Sequence, residues 1–327
     1  VIELSVVIPT YRGAHRLPET LAALARAIGG EAAIEVVVAD DGSPQPLDAQ
    51  ARQAGSTPVR WVANPTNRGS ASTRNLGLHA ARGQLVLFLD DDMSAASELV
   101  QRHRAAHRNA SGPLAVLGRI EPAASSFAGR FGEFLRAEEA RRRERLIARA
   151  ADVPFTEFLS GQFSAPRQLL IELGGFATGF TSYGFEDIEL GWRLQRHGVA
   201  CHYDDQAISL HRSDAATWRN HCLRHIEMGR MARVFSRLAQ DPVVDRFLRV
   251  DGMRRSDQPS SFRRVMALVH QAARRTPRPL APTALAAARA AVWVAERLAS
   301  DRALFAAYHL VRDMHYAVGL GADEAPD

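Results

Sequence analysis

Four short aliphatic runs constrain this chain more than any other feature: "LSVVIPTY" (4–11), "IEVVVADDGS" (34–43), "VRWVANP" (59–65) and "QLVLFLDDD" (84–92). Each is too short for a buried helix and closes on a turn or polar residue, as buried strands do. Between them, "LPETLAALARAI" (17–28) carries leucines at helical spacing and stops at Gly29-Gly30, and "ASTRNLGLHAARG" (71–83) reads as a second helix. Strands alternating with helices predict a parallel, doubly wound α/β sheet. In such a sheet ligands bind at the carboxyl ends of the strands. Thr10-Tyr11-Arg12, Asp40-Asp41 and Asp90-Asp91-Asp92 all fall at that rim.

Three consecutive aspartates after a buried strand repel one another unless positive charge meets them. One of them suits a helix cap for a helix running through 94–101; three exceed that need. Hard divalent cations take oxygen ligands, and Mg²⁺ typically uses one or two carboxylates plus substrate phosphates. A metal carrying a diphosphate is therefore the expected partner. Neither GxGxxG nor GxxxxGK[ST] follows the first strand, which argues against a Rossmann dehydrogenase and a P-loop NTPase. All 41 basic residues are arginine, so Walker-type and Schiff-base lysines are excluded. Arg68 and Arg74 in "NRGSASTRN" are available either for phosphate or for pairing with a rim aspartate.

Further along, "SYGFED" opens a helix on Glu186 and Asp187. Acids at a helix start are favoured by the macrodipole alone, but the aromatic-glycine turn before them also suits a general base at a substrate site. The dipole is expected to lower the pKa of such a base and keep it ionised at neutral pH. "VACHYDDQAISLHR" (199–212) reads as a closing strand ending on His211, either a structural histidine or a third metal ligand favouring Mn²⁺.

The series "SVVIPTYR", "VVVADDGS", "NRGSASTRN", "LVLFLDDDM", "GGFATGFTSYGFEDIELGWRL" and "ISLHR" resembles, in order, the motifs of family-2 inverting glycosyltransferases, over roughly residues 4–235. The resemblance implies a GT-A fold, a doubly wound Rossmann-like mixed sheet, and metal-dependent transfer of one sugar from a nucleotide sugar, UDP-linked, with inversion. By motif match Pro9, Thr10 and Tyr11 would line the nucleoside pocket and Asp41 would meet base and ribose. Asp90 to Asp92 would be the DxD element, with Asp92 the metal ligand and Asp90 or Asp91 toward the ribose; Asp90 is also carried as a metal ligand. Asp187 would be the base, Glu186 would touch sugar or acceptor, and His211 would face the metal or diphosphate. Arg12 stands where many members have Asn, and Ala177-Thr178 where an Asp-Glu pair is common. No Q-x-x-R-W motif is present, so a single addition is expected rather than processive synthesis. Two other readings stand beside this one: a nucleotidyltransferase, and an inactive sugar-binding scaffold.

The expected organisation is a catalytic domain over 1–214, with a nucleotide-sugar half (1–110) and an acceptor half (111–214), then an arginine-rich helical extension over 215–327. Residues 131–150 form a charged helix candidate. Residues 215–313 hold 18 Arg against 8 Asp and Glu, so +10 of a formal net +5 sits there. That asymmetry is expected either from a helical subdomain that packs on the catalytic domain and exposes a basic face or from contact with an anionic partner, a membrane surface or a lipid-phosphate or carrier-linked acceptor; no aromatic-interleaved basic motif points to nucleic acid. Cys201 and Cys222 are expected as reduced thiols. The chain opens on a strand rather than a leader, no run reaches spanning length, and a cytoplasmic location is expected. The acceptor is left open among glycan, lipid-linked, natural-product and protein hydroxyls, as is the oligomeric state, a homodimer included.

Overall fold

A computed structural model describes residues 1–44, 57–124, 127–212, 217–249 and 281–321. The Pro-rich break near 277–282 lies largely outside these residues. The chain divides into two compact units: Val1–Ser126 with Ala137–Thr178 and Glu186–Asp214, and Phe127–Arg136 with Gly179–Phe185 and Ala215–Asp327.

The first unit is built on a sheet whose eight strands, among the described residues, run in the order β3-β2-β1-β4-β7-β6-β8-β5. The strands are β1 (Leu4–Thr10), β2 (Ile34–Asp40), β3 (Val59–Ala63), β4 (Leu85–Leu89), β5 (Met93–Ala95), β6 (Leu114–Pro122), β7 (Gln162–Pro166) and β8 (Ala200–His211). β1, β2, β3 and β4 are mutually parallel, as their alternation with helices predicts. β7 runs antiparallel to β4 and makes the sheet mixed. The chain moves from β1 outward to β2 and β3, then returns to the other side of β1 as β4. That reversal places a topological switch between β1 and β4, beside which ligands bind.

Period-two alternation divides the core. Leu4, Val6, Ile8, Val36, Val38, Leu87 and Leu89 face one layer with Leu17, Leu21, Leu24 and Ile28 of α1 (Leu17–Ile28). Val7, Val37, Val86 and Phe88 face the other, with Leu78 of α2 (Ser70–Ala80). α1 begins with Pro18 in its first turn and ends at Gly29, φ 64°, a left-handed C-cap. Phe88 of β4 lies opposite Phe163 of β7 with ring centroids 5.1 Å apart, and meets Phe176 edge-on at 5.2 Å. After Asp92 the chain does not enter a helix at Ser94. Met93–Ala95 instead pairs antiparallel with β8, and α3 (Leu99–Arg108) starts later. The edge of β8 offers Met93–Ala95 backbone partners that a helical turn would forgo.

Among the described residues the remaining α-helices are α4 (Gly129–Ala148), α5 (Arg167–Glu172), α6 (Glu186–Arg196), α7 (Trp218–Ala239), α8 (Pro242–Leu248), α9 (Ala281–Leu298) and α10 (Asp301–Gly321). The second unit packs Phe131, Phe134, Cys222, Val292, Leu304, Tyr308 and Val311 into its own core. Gly229 of α7 and Gly319 of α10 bring two backbones together: a Cβ at 229 would stand 2.1 Å from the Tyr316 carbonyl oxygen, and one at 319 2.0 Å from that of Ile226. Thr217 caps α7 and Asp241 caps α8 through side-chain oxygens that accept backbone N–H bonds. Among the described residues no helix is long and apolar enough to cross a membrane.

Phe88 is fully buried under β4 and its two aromatic partners. Phe88→Ala is expected to destabilise the protein by about 3–5 kcal/mol. Urea unfolding should show a lower midpoint at unchanged slope; an unchanged midpoint would mean that this aromatic stack does not anchor the strand.

Candidate active site

The carboxyl ends of β1, β2 and β4 surround a pocket of about 350 Å³. It is lined by Pro9, Thr10, Tyr11, Arg16, Asp41, Asn67, Gly69, Ser70, Thr73, Arg74 and Asp90 to Asp92. Four carboxylates thus face two guanidinium groups.

Each of the three consecutive aspartates has a partner from a different element. Asp90 Oδ1 accepts from Arg74 of α2 at 2.9 Å. Asp91 is buried and turns toward β1 and α1: its carboxylate accepts from Thr10 Oγ1 at 2.6 Å and from Arg16 Nε and NH2 at 3.2 and 3.1 Å. Asp92 Oδ2 lies 3.2 Å from His211 Nε2. The β5–β8 register, with Met93 opposite His211, creates that last pairing. Burial raises the pKa of Asp91 above the ordinary carboxyl value, a shift that Arg16 and Thr10 only partly offset. Burial opposes ionisation of Asp92 too, but the His211 hydrogen bond and the charges of His211 and Arg16 win and hold it below that value.

Asp41 is 3% exposed and already engaged. Its Oδ1 accepts from Asn64 Nδ2 and the Arg68 N–H, and its Oδ2 from the Gly69 N–H, each at 2.9 Å. It therefore folds the 64–69 loop against the pocket wall. The Arg68 side chain is exposed and is not among the pocket-lining groups. Gly42, φ 70°, is required next to Asp41, since a Cβ there would lie 2.7 Å from the Thr66 backbone.

Arg74 is nearly fully buried and bridges two acidic groups. One nitrogen holds Asp90 and the other stands 3.5 Å from Glu186 Oε1, with the guanidinium over the Phe176 ring. Glu186 also accepts from Ser70 Oγ at 2.9 Å. Asp187 accepts from the Ser160 and Ile188 N–H groups at 3.3 and 2.8 Å. Phe185, φ 71°, turns the chain into α6 in a left-handed conformation that is uncommon for a bulky residue.

The expected low pKa of Asp187 is not what the surroundings dictate. Desolvation, and then the Glu186 charge, raise it to about 7, against the lowering effect of Arg74 and the two N–H bonds. Burial outweighs the macrodipole because the dipole contributes only modestly within one turn.

The structure thus gathers Pro9, Thr10, Tyr11, Asp41, Arg74 and Asp90 to Asp92 at one pocket, and ties Glu186 to it through Ser70 and Arg74, and His211 through Asp92. Sequence reasoning missed Arg16, whose place in the first turn before α1 carries no motif. It also missed Asn67, Gly69, Ser70 and Thr73, the polar loop and first turn of α2.

Among the described residues no group of three or more His, Cys, Asp or Glu side chains is close enough to hold a metal ion by itself. A divalent cation nevertheless fits these residues. Asp92 Oδ1 is buried without a hydrogen-bond partner, His211 stands beside its other oxygen, and the pocket lining carries excess negative charge. Two or three protein ligands completed by substrate phosphates suit such an ion.

Residues 5–173 match the family model described as glycosyl transferase family 2, and residues 147–213 match one described as the N-terminal domain of galactosyltransferase. Validoxylamine A glucosyltransferase of Streptomyces hygroscopicus subsp. jinggangensis is 33% identical over 223 residues, 60% of this chain and 52% of its own. The chain spans less than two thirds of the length of the curated relatives it matches first. Among solved structures, mannosyltransferase PcManGT from Pyrobaculum calidifontis, in complex with GDP-Man and Mn²⁺, superposes with a TM-score of 0.60 at 19% identity, covering 95% of this chain and 85% of that one. Glucosyl-3-phosphoglycerate synthase from Mycobacterium tuberculosis, with Mn²⁺, UDP and phosphoglyceric acid, gives 0.51 at 22% identity, covering 73% and 79%.

A raised Asp187 pKa has a stability consequence with a definite sign. The protonated form is favoured by folding, so its contribution is complete below the unfolded-state value and is lost as pH rises through about 7. Asp187→Asn is therefore expected to melt higher than wild type at pH 8 and alike at pH 4. A gap of opposite sign, or one independent of pH, would show that Asp187 is not desolvated as described.

Proposed function

The chain belongs to glycosyl transferase family 2 and has the GT-A fold; from that premise we propose that it transfers a single hexosyl or N-acetylhexosaminyl unit from a UDP-linked sugar to an acceptor hydroxyl, with inversion at the anomeric carbon. The observation that carries this reading is Arg74, which joins Asp90 at the strand end to Glu186, the neighbour of Asp187, across one rim. A donor pocket and a desolvated carboxylate are thereby held in one frame.

In this proposal Pro9, Thr10 and Tyr11 enclose the nucleoside, and Asp41 holds the 64–69 loop in the shape that receives it. Asp90 lies toward the ribose, while Asp91, held by Thr10 and Arg16, braces the pocket wall. Asp92 and His211 would hold a divalent cation, Mn²⁺ or Mg²⁺, with Asp90 alongside; bound there, the ion would neutralise a diphosphate leaving group. Asp187 accepts the acceptor hydroxyl proton as the oxygen bonds to the anomeric carbon, and the carbon–diphosphate bond breaks with its electron pair leaving on phosphate. Glu186 orients sugar or acceptor. A single base acting on the acceptor hydroxyl suits a single displacement and hence inversion. A pKa near 7 makes Asp187 a stronger base at neutral pH than an ordinary aspartate.

The Mn²⁺, UDP and GDP-Man complexes of the fold relatives support the donor class and the metal. We assign 1–214 as the catalytic domain, 1–110 for donor and 111–214 for acceptor, and 215–327 as an extension that meets an anionic membrane from the cytoplasm. The acceptor is a glycan, lipid-linked compound, natural product or protein.

Thermal-shift screening against UDP- and GDP-sugars with Mn²⁺ identifies the donor; stabilisation by a GDP-sugar alone would overturn the UDP assignment. With that donor, chelator is expected to abolish transfer and Mn²⁺ or Mg²⁺ to restore it, and Asp92→Asn to lower turnover by about 10²–10³-fold. Full activity in chelator would contradict the metal reading. Asp187→Asn should bind donor normally yet transfer about 10²–10⁴-fold more slowly. The rate should rise with pH through about 7 in wild type. Glu186→Gln is expected to move that limb to lower pH, since it removes the adjacent negative charge, and a limb that stays put would assign the titration elsewhere. Product NMR showing retention would refute the single displacement.

A further inference from the structure

The second unit carries a charged surface whose residues are not among the pocket-lining groups. On α7, Arg219, Leu223, Arg230 and Arg237 follow one another at steps of four and seven residues, which places them along one line of the helix. All four are exposed, while Cys222, Gly229, Ala232 and Phe235 supply the buried face. α7 holds five arginines against one acid, Glu227, which pairs with Arg230 at 2.9 Å. The line ends in aliphatic side chains: Leu238 is 50% exposed and Val243, at the start of α8, 54%, with Arg246 exposed one turn on.

We propose that this strip, from Arg219 along α7 to Val243 and Arg246 of α8, docks on the acidic headgroup surface of a lipid bilayer. It deepens the membrane contact proposed above by naming its residues, and does not depend on the transfer reaction. Charge complementarity selects an anionic partner. The aliphatic groups select a bilayer over a dissolved polyanion, because Leu223, Leu238 and Val243 gain nothing from a hydrated polymer but would enter the headgroup–acyl boundary. Arginine stems lie along such apolar groups while their heads reach phosphate. Thr217 and Asp241 cap the two helices and hold the strip in register.

Sedimentation of the full chain with vesicles tests this without donor or acceptor. Binding is expected to phosphatidylcholine mixed with phosphatidylglycerol, not to phosphatidylcholine alone, and to vanish at high salt. Arg219→Glu/Arg230→Glu/Arg237→Glu should lower partitioning by about 100-fold or more. Cys201 and Cys222 are buried, so a cysteine introduced by Leu238→Cys can carry an environment-sensitive fluorophore. Its emission should shift blue on the mixed vesicles, a readout that stands even where the triple variant misfolds. Binding equal on both vesicles, binding untouched by charge reversal in a folded variant, or an unshifted label would each overturn the proposal. So would capture by soluble polyphosphate with none by vesicles. Vesicle binding by an inactive chain, or transfer by one that binds no vesicle, separates this inference from the catalytic one.

Discussion

Finding a partner for each of three adjacent carboxylates at the end of one buried strand is the constraint on which the rest of the first unit depends. Asp90, Asp91 and Asp92 are stable side by side because Arg74, Arg16 and His211 come to them from three directions. Each partner requires a different piece of topology. Arg74 needs α2 packed over β1 and β2. Arg16 needs α1 to start immediately behind Thr10, which Gly13 permits: a Cβ there would lie 2.1 Å from Thr10 Oγ1 and 2.3 Å from Asp91 Oδ2. His211 needs β8 to pair with β5 in the observed register. The result is asymmetric. Asp91 is spent on structure, Asp90 is shared with Arg74, and Asp92 alone keeps a buried oxygen without a hydrogen-bond partner.

The same arginine that settles Asp90 reaches the acids of α6. Arg74 offsets part of the repulsion between Glu186 and Asp187, yet desolvation dominates and leaves Asp187 poised near neutrality. A group whose ionisation opposes folding is a cost to stability, and such costs concentrate where a protonation equilibrium is used. The left-handed Phe185 just before α6 belongs to the same pattern.

Much of this was legible in the sequence. Short runs closed by Gly, Pro or Asp marked β1 to β4 and α1 at nearly their observed bounds; burial leaves the aliphatic runs of β1, β2 and β4 no other use, while the half-buried β3 was read from its turn. The acids at the strand ends followed from the parallel topology. The antiparallel entry of β7 left no local trace, since "QFSAP" is no aliphatic run and buries Gln162 and Ser164 only because distant partners bond them. Nor did the length of β5, decided by β8 over a hundred residues later. Individual charges were harder to read than clusters. Arg74 had two open partners in the sequence, a phosphate or a rim aspartate, and its pairing with Asp90 needed α2 in place; Arg16 had none until α1 was folded. The titration of Asp187 was misjudged because a helix start is local and desolvation is not.

The division of labour among the three aspartates is the central claim, and Mn²⁺ binding measures it most directly. Electron paramagnetic resonance of free Mn²⁺, with UDP present, should be compared for Asp92→Asn and Asp91→Asn. The expected result is that Asp92→Asn loses Mn²⁺ while Asp91→Asn keeps it and melts at a different temperature, its role being to anchor α1 to β4. Retained Mn²⁺ in Asp92→Asn, with loss in a folded Asp91→Asn, would contradict the account.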